Sequence, residues 1–406
     1  MVLNGSSLEG RIKVLYVEPV GGHRGMHYYD FALCGALVEH GVQPILVTCD
    51  ETEPEAGLPF EMEHAFVGIF GSRPAWRRGL NYAWGLGRVL RCTPRRDGRI
   101  VHLHYSLVPV LDLLFVCALR QMGFCLVLTA HDVVPFDAGP FDLLALRWIY
   151  RLVNRIIVHT VPSKKELVSL IGCPQDKVSV IHQGPYTGFA SAAPLRSPQE
   201  ARALLGLPTR DQVILFFGQI KRVKGLDTLI RSFSQIRDTR PNVRLVVAGP
   251  AWKEDLTFYT ELIETLCLGE KVVMRTEYIP DEEVSLYFQA ADVVALPYRK
   301  VYQSAVLFMA HSFARPIVAT DVGGLAEVIQ DGQTGYLVPS DDEHALASAL
   351  CTVLTDTPAA ERMGLQGRYW VQQHYSWSGI ARKIADLYRD LLGRRDIRNA
   401  ETNEAA

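Results

Sequence analysis

A short basic loop carries the residues with the clearest chemical use. In the stretch FFGQIKRVKGLDTLI, residues 216–230, an apolar run ends at Gly218. Lys221 and Lys224 follow, and Gly225 precedes a predicted helix. Backbone N–H groups at a helix start, combined with nearby cations, form a site for an anion. A solvated basic loop is the alternative, but ligands of α/β sheets bind where strands end, so the pattern favours a phosphate site.

Three further sets of candidate residues also follow predicted strands. Gly21 and Gly22 either let a ligand approach the backbone or simply make the turn, and the dinucleotide pattern G-x-G-x-x-G is absent. His131 follows an apolar strand, where an imidazole can hydrogen-bond a polar ligand, although a lone histidine is more often structural. Glu327 lies on a predicted helix after a Gly-Gly turn, and the helix dipole alone would favour a carboxylate there.

These residues need a framework that brings strand ends together, and the sequence contains two successive α/β units. Helical stretches separate the strands of the first unit, which are predicted at 11–17, 42–49, 100–106, 125–132, 155–163 and 177–184. The stretch 186–208, rich in Gly, Ala, Ser and Pro, is typical of a linker with a short helix. After it, strands are predicted at 212–219, 243–250, 272–279 and 292–298. We therefore predict an α/β protein with two facing Rossmann-like domains and an interdomain cleft.

The composition limits the classes of function. The chain has 406 residues, of which 48% are hydrophobic and 21% charged, and a net charge of −2 argues against a nucleic-acid-binding protein. Eight cysteines without a C-x-x-C pair indicate a reduced, cytoplasmic protein without structural zinc. Residues 1–10 lack the apolar core of a signal peptide, and the apolar stretch 107–119 is shorter than a membrane span. We expect a soluble or peripheral protein.

The segment 71–96 combines seven arginines with Trp76, Tyr82 and Trp84. Basic residues interleaved with aromatic ones suit contact with an anionic membrane surface, and an ordinary surface helix is the alternative. We therefore expect a cytoplasmic protein that contacts the inner face of a membrane.

Together these motifs resemble the retaining nucleotide-sugar glycosyltransferases of family 4, also called glycosyl transferases group 1, which have the GT-B fold. The resemblance covers nearly the whole chain. Besides the basic loop, it rests on LTAHD (128–132), VPSKKELVSLIGCPQDKVSVIHQG (161–184), VRLVVAGP (243–250), IPDEEVSLYFQAADVVALPY (279–298), RPIVATDVGGLAEVIQDGQTGYLVP (315–339) and YSWSGIARKIADLYRDLL (375–392).

The resemblance implies a division of the chain. Residues 1–190 would form an acceptor-binding domain and residues 191–375 a nucleotide-sugar-binding domain. Residues 376–406 would add a helix that crosses back to the first domain, and a polar tail. Apolar residues at 380, 384, 387, 388 and 391 give that helix an amphipathic pattern.

Roles follow residue by residue. Lys224 stands where the family has its diphosphate-binding lysine, and Gly218 lies in the same loop. Gln219 replaces the family's arginine, so we expect Lys221 to supply that charge. His131 matches the histidine that contacts the donor sugar.

The same resemblance places Gly21 and Gly22 in the loop over the donor phosphate and acceptor. In much of the family the run corresponding to 301–309 holds two glutamates that grip sugar and ribose hydroxyls, but this chain has Val301 and Met309.

A nearly uncharged helix begins after this position. It offers the N–H groups of Ser304, Ala305 and Val306, which suit a diphosphate. Glu327 is then a candidate for the missing sugar or ribose contact.

The resemblance implies sugar transfer from a nucleotide diphosphate sugar to a hydroxyl acceptor with retained anomeric configuration. A leaving-phosphate oxygen would take the acceptor proton, so no protein base is named. No cofactor and no metal are expected, since the sequence has no D-x-D pair. The acceptor is expected to be a glycan or lipid-linked molecule of cell-surface polysaccharide or glycolipid assembly, and the donor base and sugar stay open. The alternatives are a nucleotide-sugar 2-epimerase of the same fold and an inactive partner subunit.

Overall fold

The computed structural model describes residues 11–22, 25–93, 99–104, 106–135, 138–186, 189–190, 194, 196–252 and 254–404. Its contacts divide the chain into two compact units. The first unit contains the chain up to Gly184 together with the segment from Trp377 onwards, and the second runs from Pro185 to Ser376.

The first unit is built on a parallel sheet of seven strands. These are β1 (Ile12–Val17), β2 (Val42–Cys49), β3 (Glu61–Phe66), β4 (Ile100–Leu103), β5 (Cys125–Ala130), β6 (Arg155–Val158) and β7 (Val178–Val180). Their order is β3-β2-β1-β4-β5-β6-β7, so β1 lies between β2 and β4. Apolar strands buried on both faces are typical of a parallel sheet with helices on each side.

The helices of this unit connect successive strands. They are α1 (His27–Glu39), α2 (Ala75–Cys92), α3 (Pro109–Gln121), α4 (Pro140–Leu152) and α5 (Val161–Ile171). Right-handed crossovers place α1 on one face of the sheet and α2, α3 and α4 on the other, because the strand order reverses after β3.

The second unit repeats this plan with six parallel strands. They are β8 (Gln212–Phe217), β9 (Val243–Ala248), β10 (Val272–Arg275), β11 (Val293–Leu296), β12 (Ile317–Thr320) and β13 (Gly335–Val338), in the order β10-β9-β8-β11-β12-β13. In both sheets the order reverses beside the first strand, as in the doubly wound nucleotide-binding folds. The predicted class of two Rossmann-like α/β domains is confirmed.

Helices also cover the second sheet. They are α6 (Pro198–Leu204), α7 (Leu226–Thr239), α8 (Thr257–Thr265), α9 (Asp281–Ala290), α10 (Ala305–Ser312), α11 (Leu325–Val328), α12 (Glu343–Thr355) and α13 (Thr357–His374). A single 3-10 turn, Arg222–Lys224, precedes α7.

The terminal helix α14 (Trp377–Glu404) packs against α1 in the first unit. Its predicted apolar stripe faces the core, since Ile380, Ile384 and Tyr388 are buried.

The structure corrects several predicted elements. Most predicted strands are shorter than expected, because their polar ends belong to loops. Residues 161–163 begin α5 and do not continue β6, since Thr160 caps this helix by accepting the N–H of Ser163 at 3.2 Å. Strand β3 was not predicted, because it is an edge strand with mostly exposed, polar residues rather than an apolar run.

Candidate functional site

The predicted phosphate loop of the second unit lies at the C-terminal end of β8. Gly218 follows the strand with φ of 94°, a backbone conformation that side chains other than glycine rarely adopt. Gly225 ends the 3-10 turn with φ of 63° and begins α7. A Cβ atom on Gly225 would lie 2.0 Å from the carbonyl oxygen of Pro297, so this residue holds the loop against the end of β11.

Lys224 lies at the centre of this site. A Cβ atom built on Gly218 would lie 3.3 Å from both Nζ of Lys224 and Cγ2 of Val306. The structure therefore brings together a strand end, a loop cation and the first turn of α10. Nζ also lies 5.3 Å from the ring centroid of Tyr298.

Burial changes the proton affinity of this lysine. Lys224 keeps some exposed surface as a whole residue, but desolvation of its ammonium lowers the pKa to about 8. Among the described residues, no carboxylate forms an ion pair with Lys224. A bound anion would supply the charge that this ammonium lacks.

The start of α10 offers backbone donors to the same site. Ser304 is the N-cap, and its hydroxyl accepts the N–H of Leu307 at 3.4 Å. The N–H groups of Ala305 and Val306 lie in the first turn, where no carbonyl of the helix can accept them. Ser304 is predicted to donate its N–H to a ligand. Its side chain has a second role, because it caps the start of α10.

Two polar side chains near this turn were missed by the sequence analysis. Tyr298 is buried, and burial raises its pKa to about 12, so its hydroxyl is a donor. That hydroxyl makes no aligned hydrogen bond among the described residues, although the hydroxyl of Ser304 lies beside it. Oε1 of Gln303 is also buried without a partner in the described structure. Unsatisfied buried polar groups at a strand end are what a polar ligand would satisfy.

Arg299 fixes the loop in place and was also missed. Its guanidinium donates two hydrogen bonds of 2.8 Å to the carboxylate of Asp227 in α7 and one of 2.7 Å to Asp341. It also donates to the carbonyl of Arg222 at 2.9 Å, and its own N–H donates to the carbonyl of Val223 at 2.8 Å. The fork geometry of an arginine therefore ties the basic loop to α7 and to the loop after β13.

The remaining predicted residues of this unit lie around the same edge of the sheet. Lys221 precedes the 3-10 turn, with Nζ 5.7 Å from the ring centroid of Trp252. Gly323 packs against residue 301, since a Cβ atom on it would lie 1.7 Å from the carbonyl oxygen of Val301. Glu327 lies on the short helix that follows, and its carbonyl accepts the hydroxyl of Tyr375 at 2.8 Å.

Two residues of α10 belong to the core. Met309 and His311 are buried, and His311 packs against Gly367, where a Cβ atom would lie 2.2 Å from its Nδ1. Neither ring nitrogen of His311 has a hydrogen-bond partner among the described residues, and burial lowers its pKa to about 3. The histidine is a neutral packing residue.

In the first unit, the predicted glycines are explained by close packing. Gly21 has φ of 47°, and a Cβ atom on it would lie 2.0 Å from Oγ1 of Thr52. A Cβ atom on Gly22 would lie 2.0 Å from the carbonyl oxygen of Glu51. The buried carboxyl group of Glu18 accepts the N–H of Gly21. The turn would require glycine here even without a ligand.

His131 lies at the end of β5 within a chain of histidines. Nδ1 of His159 lies 2.8 Å from the carbonyl oxygen of Ile181, which can only accept, so this nitrogen carries the proton. Nε2 of His159 lies 3.2 Å from Nδ1 of His131, and Nε2 of His131 lies 2.7 Å from Nε2 of His104. Burial lowers the pKa of all three histidines well below the ordinary value, so each ring is neutral.

Neutral rings fix the direction of every hydrogen bond in this chain. His131 donates from Nδ1 to His159 and accepts at Nε2 from His104. Nδ1 of His104 is then an acceptor, and it lies 3.1 Å from Oδ1 of Asp30, although the two atoms are not aligned as a hydrogen bond. Burial raises the pKa of Asp30 well above its ordinary value, although a hydrogen bond with Glu18 lowers it, and the acceptor nitrogen of His104 beside it also favours a protonated carboxyl. Both ring nitrogens of His131 are therefore occupied by protein partners.

The described residues show no sign of a metal centre or of a membrane span. They contain no group of three or more His, Cys, Asp and Glu side chains that could hold a metal ion. No helix in the described part of the chain is long and apolar enough to cross a membrane. None of the eight cysteines, all of which lie in the described part of the chain, forms a disulfide.

Two family profiles match the chain, one in each unit. Residues 24–186 match the profile described as Glycosyltransferase Family 4, and residues 211–356 match the one described as Glycosyl transferases group 1. The chain is a glycosyltransferase, with one of these two profiles in each of its units. The second match contains the whole predicted phosphate site of this glycosyltransferase. The first contains His131, whereas Gly21 and Gly22 precede it.

Relatives and solved structures agree with this assignment. The D-inositol 3-phosphate glycosyltransferase of Corynebacterium diphtheriae is 28% identical over 395 residues, which cover 91% of this chain and 90% of the relative. D-inositol 3-phosphate glycosyltransferase 1 of Catenulispora acidiphila is 28% identical over 410 residues, with 92% and 93% covered.

Sucrose-phosphate synthase from Thermosynechococcus elongatus superposes with a TM-score of 0.77 at 22% identity, covering 95% of this glycosyltransferase and 100% of that chain. Anabaena Alr3699/HepE in complex with UDP-glucose gives a TM-score of 0.74 at 18% identity, covering 94% and 100%. These likenesses confirm the predicted fold class, GT-B, with its two Rossmann-like domains.

Proposed function

We propose that this chain is a retaining glycosyltransferase that moves a sugar from a nucleotide diphosphate sugar to a hydroxyl acceptor. The observation that carries the proposal is the convergence of Gly218, Lys224 and the first turn of α10 at the end of β8. A relative of the same fold has been solved with UDP-glucose, which supports a nucleotide sugar as the donor. The site is chemically suited to a diphosphate because it joins one cation to several free backbone donors.

The reaction requires stabilisation of negative charge on the leaving diphosphate. We assign that role to the ammonium of Lys224, to Lys221, and to the N–H groups of Ala305 and Val306. Such preorganised donors stabilise a developing charge without reorganising during the reaction. In this proposal they take the place of a divalent cation, and the reaction needs no metal.

The sugar and ribose contacts are proposed to lie elsewhere. Residue 309 is an apolar core residue, so a carboxylate contact from that position of α10 is lost. Glu327 is our candidate for the replacement. His131 is assigned to the donor sugar, and one of its two histidine hydrogen bonds must be released if its ring is to bind the ligand directly.

The acceptor is proposed to be a glycan or a lipid-linked hydroxyl compound of cell-surface polysaccharide or glycolipid assembly. Relatives described as D-inositol 3-phosphate glycosyltransferases add a phosphorylated cyclitol to the acceptors that should be assayed.

The donor site is tested by thermal unfolding with a panel of nucleotides and nucleotide sugars, with and without EDTA. Binding to the native state raises the melting temperature by mass action. We expect a rise with one nucleotide series, unaffected by EDTA and reduced in Lys224→Ala. Lys165→Ala, which changes an exposed lysine of α5, is the matched control. No rise with any nucleotide at millimolar concentration would contradict the proposal.

A rise in melting temperature without any transfer would point to the inactive partner subunit. The apolar residue at position 309 is the feature that favours this second candidate.

A further inference from the structure

The outer surface of α2, α3 and α4 exposes an unusual number of large apolar side chains. We call this surface the outer face of the first unit. Eight of the fifteen large apolar side chains that are exposed among the described residues lie on it, which makes it the main apolar surface of this part of the chain. They are Trp76, Leu80, Trp84, Val110, Leu114, Phe141, Leu144 and Trp148.

These side chains belong to one continuous surface. The three helices follow β3, β4 and β5 in turn, so right-handed crossovers place them on the same face of the sheet. Helix α3 contacts both α2 and α4. The hydroxyl of Tyr82 in α2 donates to Asp112 of α3 at 2.6 Å, which fixes the two helices side by side.

Exposure on each helix follows helical spacing. In α2, Trp76, Leu80 and Trp84 are four residues apart and are about 60% exposed each, whereas Tyr82 and Leu86 on the opposite side are buried. An exposed apolar stripe opposite a buried one leaves the outer stripe without a partner.

The charge on these three helices is mainly positive. Helix α2 has four arginines and no acidic residue, α3 has one arginine, and α4 has two. The two acidic residues of α3 and α4 accept hydrogen bonds from other groups of the protein. Asp112 is buried, and Asp142 accepts the N–H of Gly139 at 3.0 Å at the start of α4.

Arginine and tryptophan are paired on this surface. The guanidinium carbons of Arg77 and Arg91 lie 5.1 Å from the ring centroids of Trp76 and Trp84. In α4 the guanidinium carbon of Arg151 lies 5.5 Å from the ring centroid of Trp148. Tryptophan prefers the boundary between lipid headgroups and acyl chains, and arginine can extend its charge to the phosphates beside it.

We propose that the outer face docks this protein on an anionic lipid surface. Apolar and aromatic side chains enter the boundary layer while the arginines of the three helices contact lipid phosphates. The sequence pattern indicated such a contact for 71–96 alone. The structure adds α3 and α4, while Arg95 and Arg96 lie outside the described residues. The docking is independent of the proposed transferase activity and of nucleotide binding.

Co-sedimentation with vesicles tests the proposal. The full chain is mixed with vesicles of phosphatidylcholine alone or with about one third phosphatidylglycerol, which supplies the negative surface potential. We expect binding to the anionic vesicles, much weaker binding to phosphatidylcholine, and release at about 0.5 M salt, where charge interactions are screened.

Intrinsic fluorescence reports the same event, since three of the six tryptophans lie on the outer face and are exposed. Their emission should shift to shorter wavelength with anionic vesicles only.

Paired variants test whether vesicle binding depends on the outer face or on exposed residues elsewhere. We expect Trp84→Ser/Trp148→Ser and Arg77→Gln/Arg91→Gln each to weaken partition by about tenfold, the loss expected for two interfacial residues. Leu365→Ser/Tyr369→Ser and Arg362→Gln/Arg368→Gln change exposed residues of α13 in the second unit and should bind as the wild type does.

Failure of the wild type to bind anionic vesicles at low salt would overturn the proposal. Equal loss in the α13 variants would also overturn it. So would a dimer in size-exclusion chromatography that the Trp84→Ser/Trp148→Ser variant abolishes, because the outer face would then be a contact between two copies. Circular dichroism establishes that each variant is folded.

Discussion

Gly218 and Lys224 are so close that a Cβ atom on the glycine would lie 3.3 Å from Nζ of the lysine. The glycine also adopts φ of 94°, which an L-residue rarely does. Two features therefore require glycine at position 218. The backbone of the turn has a positive φ, and a side chain would crowd the ammonium of Lys224. The two reasons can be separated by experiment.

Substitution Gly218→Ala should weaken nucleotide binding by about tenfold or more, because the methyl group crowds the lysine and strains the turn. Gly206→Ala is the matched control, since Gly206 has φ of 71° with nothing within 4 Å of its Cβ position. Both variants should lose about 1–2 kcal/mol of the free energy of unfolding, as expected for a residue forced to positive φ. Calorimetric titration with nucleotides distinguishes them, and equal affinity in the two variants would contradict the assignment.

The pKa of Lys224 predicts how nucleotide affinity depends on pH. In the free protein this pKa is about 8, and only the protonated lysine attracts a diphosphate. Below pH 8 affinity should be constant for a donor whose diphosphate does not titrate. Above pH 8 binding must take up a proton, so the logarithm of the association constant should fall by up to about one per pH unit.

Lys224→Arg should remove this dependence, because arginine stays charged throughout. An unchanged slope in that variant would show that another group titrates.

The local features of the second unit could be predicted from sequence. The turn at Gly218, the cations at 221 and 224 and the helix at 305 all lie within short stretches whose patterns are local. Arg299 could not be predicted, because its partners Asp227 and Asp341 lie 72 and 42 residues away. An arginine in a polar stretch after a strand has no local signal for such a role.

The histidine chain could not be predicted from the sequence for a related reason. His131 was recognisable from its position after a strand, but its partners His104 and His159 come from neighbouring strand ends that meet only in the folded sheet. Asp30 comes from a helix whose pattern gave no functional signal. Strand order, which sequence did not specify, decides these contacts.

Arg299 should be required to hold the basic loop. We expect Arg299→Met to lower the free energy of unfolding by about 1–3 kcal/mol, since hydrogen bonds to charged groups are lost, and to weaken nucleotide binding as well. Arg231→Met removes an exposed ion pair with Glu343 of 3.7 Å and should change stability by less than about 1 kcal/mol. Urea unfolding and calorimetric titration measure the two effects. Wild-type affinity in Arg299→Met would rule out its positioning role.

The direction of the histidine chain predicts the charge state of Asp30. If its carboxyl carries a proton, Asp30→Asn replaces one neutral donor by another and should cost less than about 1 kcal/mol of the free energy of unfolding at neutral pH. Asp30→Leu removes the donor next to His104 and should cost about 1–3 kcal/mol. A loss of more than about 3 kcal/mol in Asp30→Asn would instead indicate a buried charged pair.

The buried, neutral His311 should make the free energy of unfolding sensitive to acid. Its pKa is about 3 in the folded protein, whereas an exposed histidine of an unfolded chain has a pKa of about 6.5. As pH falls below 6.5 the unfolded state binds a proton that the folded state does not, so this histidine alone should lower the free energy of unfolding by about 1.4 kcal/mol per pH unit until the pH approaches 3. His311→Met should reduce this slope, as measured by urea unfolding between pH 7 and 5. His344→Met, which changes an exposed histidine, is the matched control.

The central claim is that the second unit holds the diphosphate of a sugar donor during transfer. The most direct measurement is release of nucleoside diphosphate from a panel of nucleotide sugars, with glycan, lipid-linked and cyclitol phosphate acceptors, for the wild type and Lys224→Met. We expect release from one donor, with retained anomeric configuration in the product, and a loss of at least about a hundredfold in the rate of the variant, as for removal of a charge-stabilising group. Equal rates in the wild type and Lys224→Met, or an inverted product, would contradict it.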